Sequence, residues 1–131
     1  MQAPNPLTAA DAFFTLGLNV DNCYRMYVES GNLIVQKKIA GSKSTLLTVT
    51  FNATNHAFWR MRHDEISGQI VFEVAPSNAG APGAWTMLFS EAWNANVPLN
   101  SVRFELKAGT WRLEGANPGT VVFDNFKAAR Q

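Results

Sequence analysis

Apolar and polar positions alternate with a period of two through most of the chain. No stretch sustains the three-to-four-residue recurrence of an amphipathic helix. The alternation divides into about nine short runs bounded by Gly, Pro, Asn and Ser, which reads as strands separated by turns. In chain order the predicted strands are 13–19, 22–29, 32–40, 45–51, 56–64, 69–75, 84–90, 101–107 and 120–127. Ser30-Gly31, Gly41-Ser42 and Ser67-Gly68 mark tight turns, and Asn117-Pro118-Gly119 marks the turn before the last strand. The Pro-, Gly-, Ser- and Ala-rich stretch 76–83 reads as a loop. Consecutive strands joined by short turns pair antiparallel, and many short strands at regular spacing form a sandwich or barrel. The predicted fold is therefore an all-β, two-sheet antiparallel β-sandwich of jelly-roll type, with residues 1–11 as an N-terminal arm and 12–131 as one domain.

The alternation assigns faces. Tyr24, Met26 and Val28 oppose Cys23, Arg25, Tyr27 and Glu29. Trp59, Met61 and His63 oppose Phe58, Arg60, Arg62 and Asp64. Ile70, Phe72 and Val74 oppose Val71, Glu73 and Ala75, while Val102, Phe104 and Leu106 oppose Arg103, Glu105 and Lys107. The first group of each set is apolar enough for the interior. The expected core is Tyr24, Trp59, Met61, Phe72, Val74, Phe104, Leu106 and Phe123. The second groups together predict one outward sheet face carrying Arg25, Tyr27, Arg60, Arg62, Glu73, Arg103 and Glu105. Opposite charges on neighbouring strands contribute roughly 0.2–1 kcal/mol per pair.

Composition narrows the function classes. The 131 residues suit one domain with one sizeable core. Acids and bases are interspersed at a net charge of +1, so no basic stripe marks a nucleic-acid surface. No run approaches 18 apolar residues, so no helical membrane span is expected. The single cysteine, Cys23, rules out an intramolecular disulfide and reads as a small buried hydrophobe. The opening Met1-Gln2-Ala3-Pro4-Asn5-Pro6 lacks the basic and apolar regions of a secretion signal, and none is expected in this chain.

Candidate chemistry centres on the charged face. Its plain reading is a solvated surface with charges paired across strands. Its functional reading is a ligand platform, because guanidinium groups offer planar multiple donors and Tyr27 and Phe58 offer flat apolar area. Sugars present hydroxyl edges and apolar C–H faces, which suit such a mixture. Trp59 alternates with the core set, whereas Trp85, Trp93 and Trp111 adjoin turns. Trp93, amid Glu91, Asn94 and Asn96, has the most polar neighbourhood and is the expected exposed stacking residue. Glycoside hydrolysis needs two carboxylates flanking a cleft. Glu73 and Glu105 could face each other on the sheet, but each alternates with basic residues that would pair with it. No nucleophile-elbow, zinc-helix or phosphate-loop motif is present, and His56 and His63 read as isolated turn or surface residues. Asp124 and Asn125 are the expected ligands should calcium bind; no other cofactor is expected. Asn52-Ala53-Thr54 matches a glycosylation triplet.

Several segments have a familiar cast: Asn22-Cys23-Tyr24-Arg25-Met26-Tyr27-Val28, Phe58-Trp59-Arg60-Met61-Arg62-His63-Asp64 and Val71-Phe72-Glu73. With Phe104-Glu105-Leu106-Lys107-Ala108-Gly109-Thr110-Trp111 and Pro118-Gly119-Thr120-Val121-Val122-Phe123-Asp124-Asn125-Phe126, the chain after Asp11 resembles the concanavalin A-like lectin/glucanase, or laminin G-like, sandwich. The resemblance is to modules of bacterial surface and phage virion proteins. It implies a jelly-roll sandwich, an extracellular or virion-surface setting and a glycan or surface-polymer ligand. The paired acids of the glucanase branch are absent, which implies no hydrolase activity. Modules of this kind carry further strands ahead of the point where this chain starts, which implies an uncovered sheet edge and a homo-oligomer or larger assembly. The expected function is a non-catalytic carbohydrate-binding or adhesion module. The contact residues would be Arg25, Tyr27, Arg60, Arg62, Glu73, Trp93 and Arg103, with a self-assembling virion or filament subunit as the alternative.

Overall fold

The computed structural model describes residues 11–109 and 126–128. The arm before residue 11, Trp111, Phe123 and the pair Asp124–Asn125 lie outside the described residues. The described part is all-β and antiparallel. Its first half is a meander of four strands: β1 (Asp11–Asn19), β2 (Asn22–Glu29), β3 (Asn32–Ile39) and β4 (Ser42–Thr50). Two of its turns have positive φ at both central residues, Ser30 and Gly31 in one, Ala40 and Gly41 in the other. This is the backbone of a type I′ hairpin, whose twist matches the strands it joins, and glycine at the second position adopts it without strain.

The second sheet is formed by β5 (Phe58–Asp64), β6 (Gln69–Ala75) and β9 (Thr86–Ala92), in the order β5-β6-β9. Between β6 and β9 the predicted loop contains a small hairpin, β7 (Ser77–Asn78) with β8 (Ala81–Pro82). After a short 3₁₀ turn at Leu99–Ser101 the chain returns as β10 (Arg103–Gly109), which pairs with the outer side of β1. The larger sheet thus runs β10-β1-β2-β3-β4.

The alternation seen in the sequence places Phe14, Leu16, Tyr24, Met26, Leu33 and Val35 of the larger sheet in one buried cluster with Trp59, Met61, Ile70, Phe72 and Val74 of the smaller. The two sheets therefore share a core, in a sandwich-like arrangement. Cys23 is fully buried, as a small hydrophobe would be. It lies against Gly17, where an added Cβ would overlap the Cys23 Cβ and approach its Cα to 2.6 Å. Only a residue without a side chain allows β1 and β2 to meet this closely, beside the register shift between Gly17 and Asn19.

Polar groups tie the sheets together on the side of β3 and β9. Lys37 Nζ lies 2.7 Å from Glu91 Oε2, a salt bridge from one sheet to the other. The backbone N–H of Asn94 donates to the Tyr24 hydroxyl at 2.8 Å. Burial pushes the pKa of that hydroxyl up, which keeps it protonated.

Several face assignments need correction; Tyr27 and Phe58, expected on the outward face, are both buried. Phe104 was expected in the core but is 42% exposed: among the described residues β10 is the outermost strand of its sheet, and the ring meets Phe14 and Phe126 at its side. Val71, Glu73 and Ala75 were expected on an outward face, yet all three are buried. β6 is the central strand of its sheet, and a central strand covered on both faces reads as a nearly continuous apolar run.

His56, in the turn before β5, gives a pH-dependent expectation. Its Nδ1 accepts a hydrogen bond from the Asn52 N–H at 3.1 Å, and burial lowers its pKa below the usual 6.5. The unfolded chain therefore takes up a proton at a higher pH than the folded chain does. Stability contributed here is complete above about pH 6.5 and is lost as pH falls through the folded value. Urea melts between pH 8 and pH 5 should show this acid-side loss, and His56→Gln should flatten it. An unchanged slope in the variant would assign the loss to other groups.

Candidate functional site

The charged residues predicted to share one face lie on two different sheets. Arg25 and Tyr27 belong to β2, and Arg103 and Glu105 to β10, all in the larger sheet. Arg60, Arg62 and Glu73 belong to the smaller. A single platform of all seven is therefore corrected to two separate groups. Alternation fixes the side of a strand that a residue occupies, but it does not say which sheet the strand joins.

The larger-sheet group offers little as a platform. Tyr27 is 8% exposed, stacked on Phe13 with ring centres 4.9 Å apart, and its hydroxyl accepts from Gln36 Nε2 at 3.2 Å. Lys107 pairs with Glu105 at 2.8 Å. Trp93 is also corrected. It packs partly buried against the core, with its indole N–H donating to the Val97 carbonyl at 2.6 Å and its ring against Tyr24 and His63.

The smaller-sheet group is organised around one carboxylate. Arg60 and Glu73 are cross-strand partners in the β5–β6 register. Glu73 Oε2 accepts from Arg60 Nε at 2.6 Å and from Arg62 Nε at 3.2 Å. Hydrogen bonds between ionised partners are the strong kind, and they explain how a carboxylate can sit buried on this strand. The Arg60 guanidinium lies 4.1 Å over the ring of Trp85, a cation–π contact that fixes its plane. At the end of β5, Asp64 Oδ1 accepts from the Ile66 N–H at 3.1 Å, and Asp64 Oδ2 lies 3.8 Å from Arg62 Nη1. Its carboxyl is held below the usual range, first by the Ser67 hydroxyl and then by the Ile66 N–H.

Arg60, Arg62 and Trp85 line a cleft of ≈ 850 Å³ beside β5. Among the described residues β5 is the edge of its sheet, so side chains from both of its faces reach the cleft. Trp59 and Met61 line it from the inner face, Arg60 and Arg62 from the outer. Phe14, Leu16 and Phe104 contribute from the larger sheet, and Pro82, Trp85, Leu99 and Asn100 from the connections. A concave, mainly apolar wall with a few placed polar groups is the usual make-up of a small-molecule site. Of the residues selected from sequence, Arg60, Arg62 and Trp93 line this cleft, while Arg25, Tyr27, Glu73 and Arg103 do not. Trp85 adjoins a turn in the sequence, and the pattern of alternation gives it no site role. Its signal was the Pro- and Gly-rich stretch that precedes it, which returns the chain toward β5.

Among the described residues no group of three or more His, Cys, Asp or Glu side chains could hold a metal ion. No helix among them is long and apolar enough to cross a membrane. Compared with known proteins, the chain matches no family model, no curated sequence and no solved structure.

Proposed function

We propose that the chain is a non-catalytic carbohydrate-binding module of the concanavalin A-like, jelly-roll class, acting at an extracellular or virion surface. Its ligand site is the cleft along β5, and the observation that carries this is the Trp85 ring fixed flat against Arg60 at the cleft wall. An aromatic plane beside a guanidinium fork offers a surface for the C–H face of a sugar and donors for its oxygens. The non-catalytic reading is supported by the positions of the acids. Glu73 is engaged by two arginines, and Glu105 belongs to the other sheet and pairs with Lys107. A retaining or inverting pair would have to flank one cleft.

The second reading, a self-assembling subunit, is favoured by the sheet edges. Among the described residues β4, β5, β9 and β10 each lack a strand partner on one side, and unpaired edges invite pairing with another chain.

A glycan array followed by titration calorimetry tests both. Trp85→Ala should weaken glycan binding about tenfold, equivalent to ~1.4 kcal/mol, with little change in melting temperature. Arg25→Ala, on the larger sheet, should bind as the parent does. Equal binding by parent and Trp85→Ala would remove the cleft from the reading. Absence of glycan binding, together with sedimentation as a defined assembly, would replace it with the second.

A further inference from the structure

Resting on the carbohydrate reading, we infer that the cleft selects an acidic saccharide, with Arg60 as the residue that receives its anionic group. The argument starts from which nitrogens are engaged. Arg60 uses Nε toward Glu73, and its face lies on Trp85. Among the described residues its two Nη nitrogens have no hydrogen-bond partner. Arg62 likewise gives Nε to the same Glu73 oxygen, and its Nη1 stands 3.8 Å from Asp64, beyond hydrogen-bond length.

Two guanidinium groups thus share one buried carboxylate oxygen. The end of Arg60 turned from Glu73 presents a pair of parallel N–H donors in a fixed plane. That fork matches the two oxygens of a carboxylate or a sulfate. Other ion pairs in the described structure are arranged one to one, as in Lys37 with Glu91, Lys38 with Asp21 and Lys107 with Glu105, and leave no such fork. The described lining residues include three cationic side chains, Arg60, Arg62 and Lys127, and one carboxylate, Glu65. Neutral sugar hydroxyls would satisfy these donors only one at a time. An anionic group accepts two together, and the apolar wall near Trp85 remains free for the ring.

The test compares three oligosaccharides of equal length by calorimetry at fixed ionic strength: a polyuronate, a sulfated neutral sugar and the neutral sugar itself. At least one acidic ligand should bind ten or more times tighter than the neutral one, and the stronger of the two identifies the group. Arg60→Gln should bring acidic and neutral affinities within about threefold. Arg60→Lys keeps the charge but not the fork, and it should lose most of the preference. Arg103→Gln, on the other sheet, should keep it, which separates a built site from general attraction to a polyanion. Thermal melts of each variant establish that it is folded.

Equal affinity for neutral and acidic ligands, or a preference that survives Arg60→Gln, overturns this inference and leaves the carbohydrate reading standing. Binding of none of the three by the parent overturns this inference, and the array then decides the broader reading.

Discussion

Phe72→Ala should destabilise the protein by about 3–5 kcal/mol, the range for truncating a fully buried aromatic. The ring is wholly excluded from solvent on the central strand of the smaller sheet. It sits edge-on to Tyr24 of the opposite sheet at 6.0 Å and is tilted against Phe89 at 6.5 Å. Removing it empties space that backbone pairing on both sides of β6 prevents from collapsing. Phe104→Ala is the matched comparison. Its ring is 42% exposed on an edge strand, so the loss should be no more than about half as large. Urea denaturation of the two variants, with unchanged m-values, measures the difference. A Phe104→Ala loss equal to that of Phe72→Ala would place β10 in the core after all.

The second large effect is expected at Glu73. Replacing it with Gln leaves two guanidinium groups facing a buried amide that neutralises neither. Breaking a buried ion pair from one side costs about 3–5 kcal/mol, but Arg60 and Arg62 are each about a third exposed and water can reach them. About 2 kcal/mol is therefore the expectation for Glu73→Gln. The triple change Glu73→Leu with Arg60→Met and Arg62→Met removes all the charges together and should recover much of that loss. Thermal melts at low and high salt read both. A triple variant less stable than Glu73→Gln would mean that the three side chains are held by packing and not by their charges.

These two residues also show what local sequence can and cannot carry. The strands were legible because two-residue turns punctuate a strict alternation, and Tyr24, Trp59, Met61, Phe72 and Val74 fell into the interior as that alternation required. Strand position within a sheet was not legible, because it is decided by partners far along the chain. Glu73 has the polar identity of an outward residue, yet it is buried, its carboxylate held by Arg60 and Arg62 of the neighbouring strand. Phe104 has the identity of a core residue, yet it is 42% exposed on β10, the outermost strand of its sheet among the described residues. The same limit merged Arg25 and Arg103 with Arg60 and Arg62 into one imagined face. That basic residues would pair with Glu73 was legible, but not that Arg60 lies directly across from it. The part of the site that depends on a loop folding back, Trp85 over Arg60, was not.

The way β1 is flanked has a kinetic consequence. On one side it meets β2 across a two-residue turn, and on the other it meets β10, from near the far end of the chain. Contacts close in sequence form quickly, whereas a distant strand must wait for the entropy of a long closure to be overcome. The four-strand meander is thus the natural early unit of folding, and β10 docks onto a template already made. In the native state the order reverses. β10 can detach without disturbing the meander, so its amide protons should exchange with solvent sooner than those of β2 and β3, and detachment would widen the cleft wall to which Phe104 belongs.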